Sequence, residues 1–317
     1  MHGERRAAPR RIQLSQAAED LIAADIRPAT KKIYKSRAAK FDKYCEELGV
    51  DPSTCAVEVI ANFLADCVRI DNLSYQTVCG YRSAIARNHS GNLPIGRLPI
   101  IKRLTRAVFL ERPPVPRYAE VWEVDTLLAH LRTMHPAESL SIMDLSVKTA
   151  ALVFILSLSR SSSVAAIGPS FQLVEDTVIL PLVSLEKTSR PSNIRGELRC
   201  PAAVDDPELS LSTYLAAYLD RTEPCRQYFA KAEGAPPDRL FVSTTKPHQP
   251  VLPATLAKWL LRAMEAAGID TKTFRAHSSR GAGATDLVKK GLSLVQILRR
   301  ANWSETSDTF QRFYNRA

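Results

Sequence analysis

Residues 277–291 read His-Ser-Ser-Arg-Gly-Ala-Gly-Ala-Thr-Asp-Leu-Val-Lys-Lys-Gly, and this stretch decides the fold class. His277 and Arg280 open it three positions apart, and small residues follow them. The pattern predicts a helix over residues 278–290. A His-x-x-Arg pair by itself recurs by chance in many chains, so its meaning depends on what stands around it in the sequence.

Further residues that can carry phosphoryl chemistry stand on both sides of this stretch. Arg160 ends an apolar run that predicts a buried helix. Lys187 follows 27 positions later, between segments that read as strands. Trp303 stands 23 positions after Arg280, and Tyr314 is the only tyrosine beyond it. Together, the order and the separations are far less common by chance than any single piece.

This set resembles the catalytic residues of the tyrosine recombinases, the phage-integrase family. The resemblance covers roughly residues 15–317, and the small residues after Arg280 fit a helix that the family packs closely. It implies a helical core-binding (SAM-like) domain and a mixed α/β catalytic domain that form a clamp around DNA. The expected fold class is therefore mainly α, with a small β-sheet in the C-terminal domain.

The chemistry of DNA strand cleavage explains three of these residues, two arginines and the tyrosine. Arg160 and Arg280 can each hold non-bridging phosphate oxygens with two N–H groups and balance the charge that develops at phosphorus. Tyr314 supplies an oxygen that attacks phosphorus and forms a covalent phosphotyrosine link, which conserves the bond energy for religation. We expect a site-specific recombinase or integrase that needs no metal, no ATP and no other cofactor.

The other three residues assist the transfer of protons and the binding of the phosphate. A mobile lysine on a hairpin suits a general acid for the departing 5′ oxygen, a role that falls to Lys187. The family resemblance implies that His277 accepts or shares the tyrosine proton. It also implies that Trp303 packs beside the phosphate and donates its indole N–H.

The sequence departs from the family pattern at three places. Ser163 stands where the family often has an acid, three positions after Arg160. Tyr314 follows Trp303 by 11 positions, which is further than usual. Only residues 315–317 follow the tyrosine, so we expect that protomers couple differently from relatives with a longer C-terminus, or that the sequence is truncated.

Two segments resemble the recombinases of eukaryotic mobile elements, such as DIRS-like retrotransposons and Cryptons. They are residues 116–125 and 309–314. A eukaryotic source would place the protein in the nucleus, and any other source in the cytoplasm with DNA. Two alternatives remain open: DNA relaxation like that of a type IB topoisomerase, and a domesticated recombinase that binds DNA without catalysis.

Periodicity and proline content predict the organisation of the chain. We expect a disordered basic arm (1–14), a helical core-binding domain (15–111), a proline-rich linker (112–118) and the catalytic domain (119–317). The first domain should contain helices at 31–48, 54–70, 74–88 and 97–110. The second should contain helices near 124–131, 145–158, 208–221, 253–267 and 293–301, with strands at 171–174, 177–183 and 197–200.

Positive charge is concentrated near the N-terminus. The chain has 43 Lys and Arg against 33 Asp and Glu, a net charge of +10. Residues 1–117 hold 20 basic and 12 acidic residues, a balance of +8. This excess favours a polyanion, and the resemblance makes it double-stranded DNA. The predicted DNA-binding residues lie on two helices: Lys32, Lys35, Lys40, Lys43, Arg82 and Arg87.

Several other classes of protein are excluded. No stretch is long and apolar enough for a membrane span, and the N-terminus lacks the apolar core of a signal peptide. The six cysteines have no C-x-x-C spacing, so we expect reduced, mostly buried thiols and no zinc or other metal site. The expected partners are double-stranded DNA and further copies of the chain, forming a tetramer on DNA.

Overall fold

The computed structural model describes residues 14–90, 94–115, 118, 120–192, 194–230 and 238–303. The chain divides into two compact units, Met1–Val115 and Pro116–Ala317. Residues 1–13 of the predicted basic arm (1–14) therefore lie outside the described residues. No helix within these ranges is long and apolar enough to cross a membrane.

The described residues of the first unit form helices joined by loops, with no strand among them. Its helices are α1 (Gln16–Ala23), α2 (Pro28–Glu47), α3 (Val57–Arg69), α4 (Tyr75–Asn88) and α5 (Pro99–Glu111), with a 3-10 helix, Ile95–Arg97, before α5. Apolar residues at helical spacing on α2, α3 and α4 meet in one core. There Phe63 makes edge-on contacts with Phe41 at 5.0 Å and with Tyr81 at 5.6 Å between ring centroids.

In the second unit, the other elements pack around one central helix, α7 (Ile142–Ser157). From Leu145 onward this helix is buried on nearly all sides, as expected for a helix in the middle of a core, and it contacts α9, α10, α11 and β3. The elements around it are α6 (Val124–Thr133), α8 (Ser161–Val164), β1 (Gln172–Val174), β2 (Thr177–Pro181), β3 (Glu197–Pro201), α9 (Leu211–Ala230), α10 (Pro253–Ala266), α11 (Ser278–Lys289) and α12 (Leu294–Arg300). A 3-10 helix, Ala137–Ser139, precedes α7.

The three strands form one antiparallel sheet in the order β1-β2-β3. Val178 pairs with Cys200 and Leu180 with Leu198, so the buried side chains of β2 and β3 stand on the same face. Strand β2 ends at Pro181, and the next residue, Leu182, forms an isolated bridge with Ile167. The predicted strand 177–183 is therefore two residues too long.

The expected fold class, mainly helical with a small sheet in the second unit, is confirmed. Three features of the α-helices were not predicted. α1 has no buried residue and α8 has only four residues, so neither produces an apolar period. α9 continues nine residues past its predicted end and through Pro224, because burial of Arg226 and Phe229 outweighs the hydrogen bond that the proline cannot donate.

Candidate active site

Arg160 lies in a sharp turn at the end of the central helix. Leu158 ends α7 in the left-handed region, at φ 51°, and Arg160 then precedes the first residue of α8. The N–H of Ser163 donates to the Arg160 carbonyl at 2.8 Å. Ser163 is buried. The turn leaves the Arg160 side chain half-exposed at the surface of the unit.

The small residues of α11 allow this helix to pack closely on the same turn. A Cβ atom added to Gly283 would lie 2.5 Å from Leu158 Cδ2 and 3.7 Å from the Ile155 carbonyl oxygen. A side chain at this position would therefore require either Leu158 or α11 to shift. The close approach brings the helix that carries Arg280 beside the turn that carries Arg160.

Arg280 is buried and is held by the segment after α12. Its side chain is 2% exposed. Its Nη2 donates to the Ala301 carbonyl at 2.9 Å, and its Cζ lies 4.9 Å from the centre of the Trp303 ring. Trp303 is also buried, in a cluster with Leu158, Ala284 and Leu298. Two residues predicted from sequence, Arg280 and Trp303, are thus in direct cation–π contact.

Lys187 is exposed on the connection between β2 and β3, where the sequence places it. Both of its neighbours are tied to one side chain. Asn302 Nδ2 donates to the Glu186 carboxylate at 2.5 Å and to Thr188 Oγ1 at 3.2 Å. Because Asn302 precedes Trp303, these hydrogen bonds fix the segment of Lys187 against the segment that holds Arg280.

Sequence reasoning missed Glu186 and Asn302. Glu186 is 4% exposed, and Asn302 has a positive φ of 50°. The available signals were an acid next to the predicted general acid and an asparagine directly after a helix, a residue type that tolerates left-handed backbone. Neither signal predicts that Asn302 and Glu186 form a hydrogen bond with each other.

Two further cations, Arg195 and Arg300, lie close to the segment of Asn302 and Trp303. Arg195 Nη2 donates to the Arg300 carbonyl at 3.5 Å. Burial lowers the pKa of Arg195, while the charge of Glu186 acts in the opposite direction. Burial also lowers the pKa of Arg300. Of the two, Arg195 interacts with the charge of Glu186, so it adds positive potential there.

His277 is exposed directly before α11. The next residue, Ser278, is buried, and its Oγ accepts a hydrogen bond from Trp122 Nε1 at 2.8 Å. This bond fixes the start of α11 to the beginning of the second unit. Tyr314 lies outside the described residues. Of the six predicted catalytic residues, the structure therefore describes five, and it links the segments of Arg160, Lys187, Arg280 and Trp303 through shared contacts.

The predicted DNA-binding residues of the first unit differ in their surroundings. Lys32, Lys35 and Lys43 are exposed on α2. Lys40 is ion-paired with Asp71. In α4, Arg87 is ion-paired with Asp25 at 2.9 Å. Arg82 is half-buried there, with its Nε 3.7 Å from where a Cβ at Gly96 would be.

Within the described residues, no group of three or more His, Cys, Asp or Glu side chains could hold a metal ion. The cysteines within these ranges are all free. Burial raises the pKa of the Cys200 thiol to about 12 and that of Cys67 to about 11. These thiols are protonated at neutral pH, so they are poor ligands and poor nucleophiles.

The chain superposes on a lambda integrase dimer bound to a COC' core site with a TM-score of 0.56, over 94% of this chain and 93% of that one, at 17% identity. The chain has the tyrosine-recombinase fold. The Tn1549 transposon integrase in complex with circular intermediate DNA matches this fold with a TM-score of 0.55 at 12% identity, over 95% of this chain and 94% of that one.

XerH recombinase bound to a palindromic difH substrate matches with a TM-score of 0.53 at 15% identity, over 82% of this chain and 68% of that one. No protein-family model and no curated protein matches the sequence. The similarity of this chain to these recombinases therefore lies in the three-dimensional fold and not in the overall sequence.

Proposed function

We propose that this chain is a site-specific DNA recombinase or integrase that breaks and rejoins strands through a covalent 3′-phosphotyrosine intermediate. One observation carries the proposal. In a chain with this fold, the buried pair Arg280–Trp303 is linked through Asn302 to the segment of Lys187. The segments of Arg160, Lys187, Arg280 and Trp303 are far apart in sequence and are linked by contacts at the C-terminal end of α7.

Arg280 and Arg160 would bind the scissile phosphate. A guanidinium that is already fixed by a carbonyl and an aromatic ring loses little conformational entropy when an anion binds. Arg280 meets this condition, since Ala301 and Trp303 hold it in place. Arg160, on the adjacent turn, would take the second position. Donors that are fixed before the reaction stabilise the charge that develops at phosphorus most effectively.

The bond changes follow from the remaining residues. Tyr314 Oη attacks phosphorus, and the bond between phosphorus and the 5′ oxygen breaks. Lys187 Nζ gives its proton to that oxygen, and His277 accepts or shares the phenolic proton. Attack by a 5′ hydroxyl on the phosphotyrosine reverses each step and rejoins a strand. The total number of phosphodiester bonds is unchanged, so no ATP is required, and the scheme uses no metal.

Double-stranded DNA is the proposed partner, bound by a homo-oligomer that reaches a tetramer on DNA. Lambda integrase with the same fold has been seen as a dimer on a core site and as a tetramer on a Holliday junction. In the first unit, the exposed lysines of α2 and residue Arg82 of α4 would contact the duplex. The proposed source is a eukaryotic mobile element, which would place the protein in the nucleus.

A covalent trap tests this function. Nicked duplexes are tiled across the DNA that flanks the chain's own gene, with each nick placed so that the cleaved fragment diffuses away and religation fails. We expect a protein–DNA adduct that survives denaturing electrophoresis with one or more of these duplexes. Tyr314→Phe should abolish the adduct and retain DNA binding, since only the nucleophilic oxygen is removed.

A matched tyrosine variant controls for changes in folding. Tyr228 is exposed in α9, and Tyr228→Phe should leave the adduct unchanged. An adduct that persists in Tyr314→Phe would contradict the proposed nucleophile. DNA binding without any adduct would favour the domesticated form that only binds. Relaxation of any supercoiled plasmid, without a preferred site, would favour the topoisomerase-like activity.

A further inference from the structure

Residues 72–110 of the first unit form a run of 39 residues without aspartate or glutamate. The run follows Asp71, ends before Glu111 and extends from α4 to α5. Its basic residues are Arg82, Arg87, Arg97, Lys102, Arg103 and Arg106. In a chain with 33 acidic residues, this run creates a strong local excess of positive charge.

Acids from elsewhere neutralise little of this excess. Arg87 reaches outside the run to Asp25. The other five basic residues of the run have no ion pair with any residue that the structure describes. This contrasts with Arg69 on the neighbouring helix α3, which forms a two-pronged ion pair with Glu111 at 2.7 and 2.8 Å.

Three of these unpaired cations share the outer face of α5. The inner face buries Ile101, Thr105 and Val108, while Lys102, Arg103 and Arg106 are exposed. Arg106 lies one helical turn after both Lys102 and Arg103, at spacings of four and three residues. Like charges at these spacings repel and weaken a helix. The arrangement therefore lowers the stability of α5 unless an anion lies against it.

Arg97 extends this face towards α4. It ends the 3-10 helix that precedes α5. The side chain of Arg82 comes from α4 and lies against the neighbouring residue Gly96, with its Nε 3.7 Å from where a Cβ would be. Positive charge thus continues from α4, whose Arg82 is a predicted DNA contact, onto α5. We call Arg97, Lys102, Arg103 and Arg106 the α5 basic surface.

We propose that the α5 basic surface binds phosphates of double-stranded DNA, in addition to the lysines of α2. The inference rests on the proposed function, because it takes its partner from there. Flexible, exposed cations without acidic partners suit a phosphate backbone, and their binding releases counterions from the duplex. Such contacts position the protein along the duplex and do not read its sequence.

Salt dependence of binding tests the inference. The full chain and the triple variant Lys102→Gln, Arg103→Gln, Arg106→Gln are titrated with a random-sequence duplex at several salt concentrations. Loss of three phosphate contacts should make the slope of log K against log salt shallower by about 2 to 3. The weakening should be similar on all sequences.

A control variant removes the same net charge elsewhere. Arg69, Arg132 and Arg262 are exposed, and each is ion-paired with an acid. Replacement of all three by glutamine should leave the slope nearly unchanged. Equal slopes for the two triple variants would overturn the α5 inference while DNA binding by the chain stands. Absence of DNA binding by the unaltered chain would overturn the proposed function as well.

A second measurement needs no variant, so it is independent of any folding defect. The unaltered chain is acetylated with and without the duplex, and modification of each lysine is followed by mass spectrometry. Lys102 should be protected by DNA, together with Lys32, Lys35 and Lys43. Acetylation of Lys102 at the same rate with and without bound DNA would contradict the inference.

Discussion

The second unit contains two buried cations that look alike in isolation and differ in their surroundings. Lys148 is fully buried in α7, where its Nζ donates to the carbonyls of Met134 and Glu208 at 2.6 and 2.7 Å and lies 3.7 Å from the centre of the Tyr214 ring. Arg280 is similarly held by one carbonyl and one ring. Burial and a cation–π contact alone therefore do not mark a functional residue.

The neighbours of the two cations separate their roles. The partners of Lys148 join the loop before α7 to the loop before α9, so this lysine connects parts of the core. Arg280 lies beside the segment that carries Lys187 and beside the turn that carries Arg160. We infer that Lys148 stabilises the fold, whereas Arg280 serves the reaction.

The largest effect should come from Arg280→Lys. A lysine keeps the charge but cannot present two parallel N–H groups to phosphate. Formation of the covalent adduct should slow by about a thousandfold, near the upper range for loss of one preorganised donor. DNA binding should change only a few-fold. The rates are measured in single-turnover cleavage of a nicked duplex, and cleavage near the original rate would remove Arg280 from the site.

Lys148→Met should affect stability instead of chemistry. The substitution leaves two buried carbonyls without a donor, which should lower the free energy of unfolding by about 2 kcal/mol. Urea unfolding at neutral pH measures this loss. The fraction of the variant that remains folded should cleave at the original rate. A large defect in cleavage by folded Lys148→Met would show that the two cations do not have separate roles.

Titration of Lys148 should also make the stability of the chain depend on pH. Burial lowers the pKa of Lys148 from 10.5 to about 8. Below pH 8, both the folded and the unfolded chain carry this proton. Between pH 8 and 10.5 the unfolded chain binds more protons, so this residue increases the free energy of unfolding as pH rises.

Urea unfolding at two pH values checks this sign. From pH 7 to about 9.5, the difference in unfolding free energy between the unaltered chain and Lys148→Met should grow by about 1 to 2 kcal/mol. Higher pH is avoided because Tyr214, whose pKa burial raises to about 12, would begin to contribute. A difference that is constant or shrinks would show that Lys148 keeps its proton in the folded chain.

The smallest effect should come from Asn302→Ala. Loss of the hydrogen bonds to Glu186 and Thr188 frees the segment of Lys187, and cleavage should slow by about tenfold through poorer positioning of the general acid. A substrate with sulfur in place of the 5′ bridging oxygen needs no general acid. On that substrate Asn302→Ala and the unaltered chain should cleave equally, whereas a purely structural defect would persist.

Local patterns predicted much of this arrangement. The apolar run before Arg160 and the small residues after Arg280 gave α7 and α11 nearly to their ends, because both patterns report burial along one helix. Contacts between distant segments could not be predicted in this way. Asn302 and Glu186 are 116 positions apart, and the carbonyl partners of Lys148 come from loops that no periodicity describes.

In the first unit, the sequence predicted which cations are exposed but not which of them form ion pairs. The sequence predicted the lysine face of α2 from its spacing, and three of its four lysines are exposed without an ion pair within the described residues. Pairing of Lys40 with Asp71 and of Arg87 with Asp25 depends on how the helices of the first unit pack. A helical wheel contains no information about such partners.

Identification of the DNA-linked residue tests the central claim most directly. The trapped adduct is digested with nuclease and protease, and the peptide that carries the remaining nucleotide is sequenced by mass spectrometry. We predict a phosphodiester link on Tyr314, with the nucleotide attached through its 3′ oxygen. A link to any other residue, or strand cleavage that leaves no nucleotide on the protein, would contradict the account.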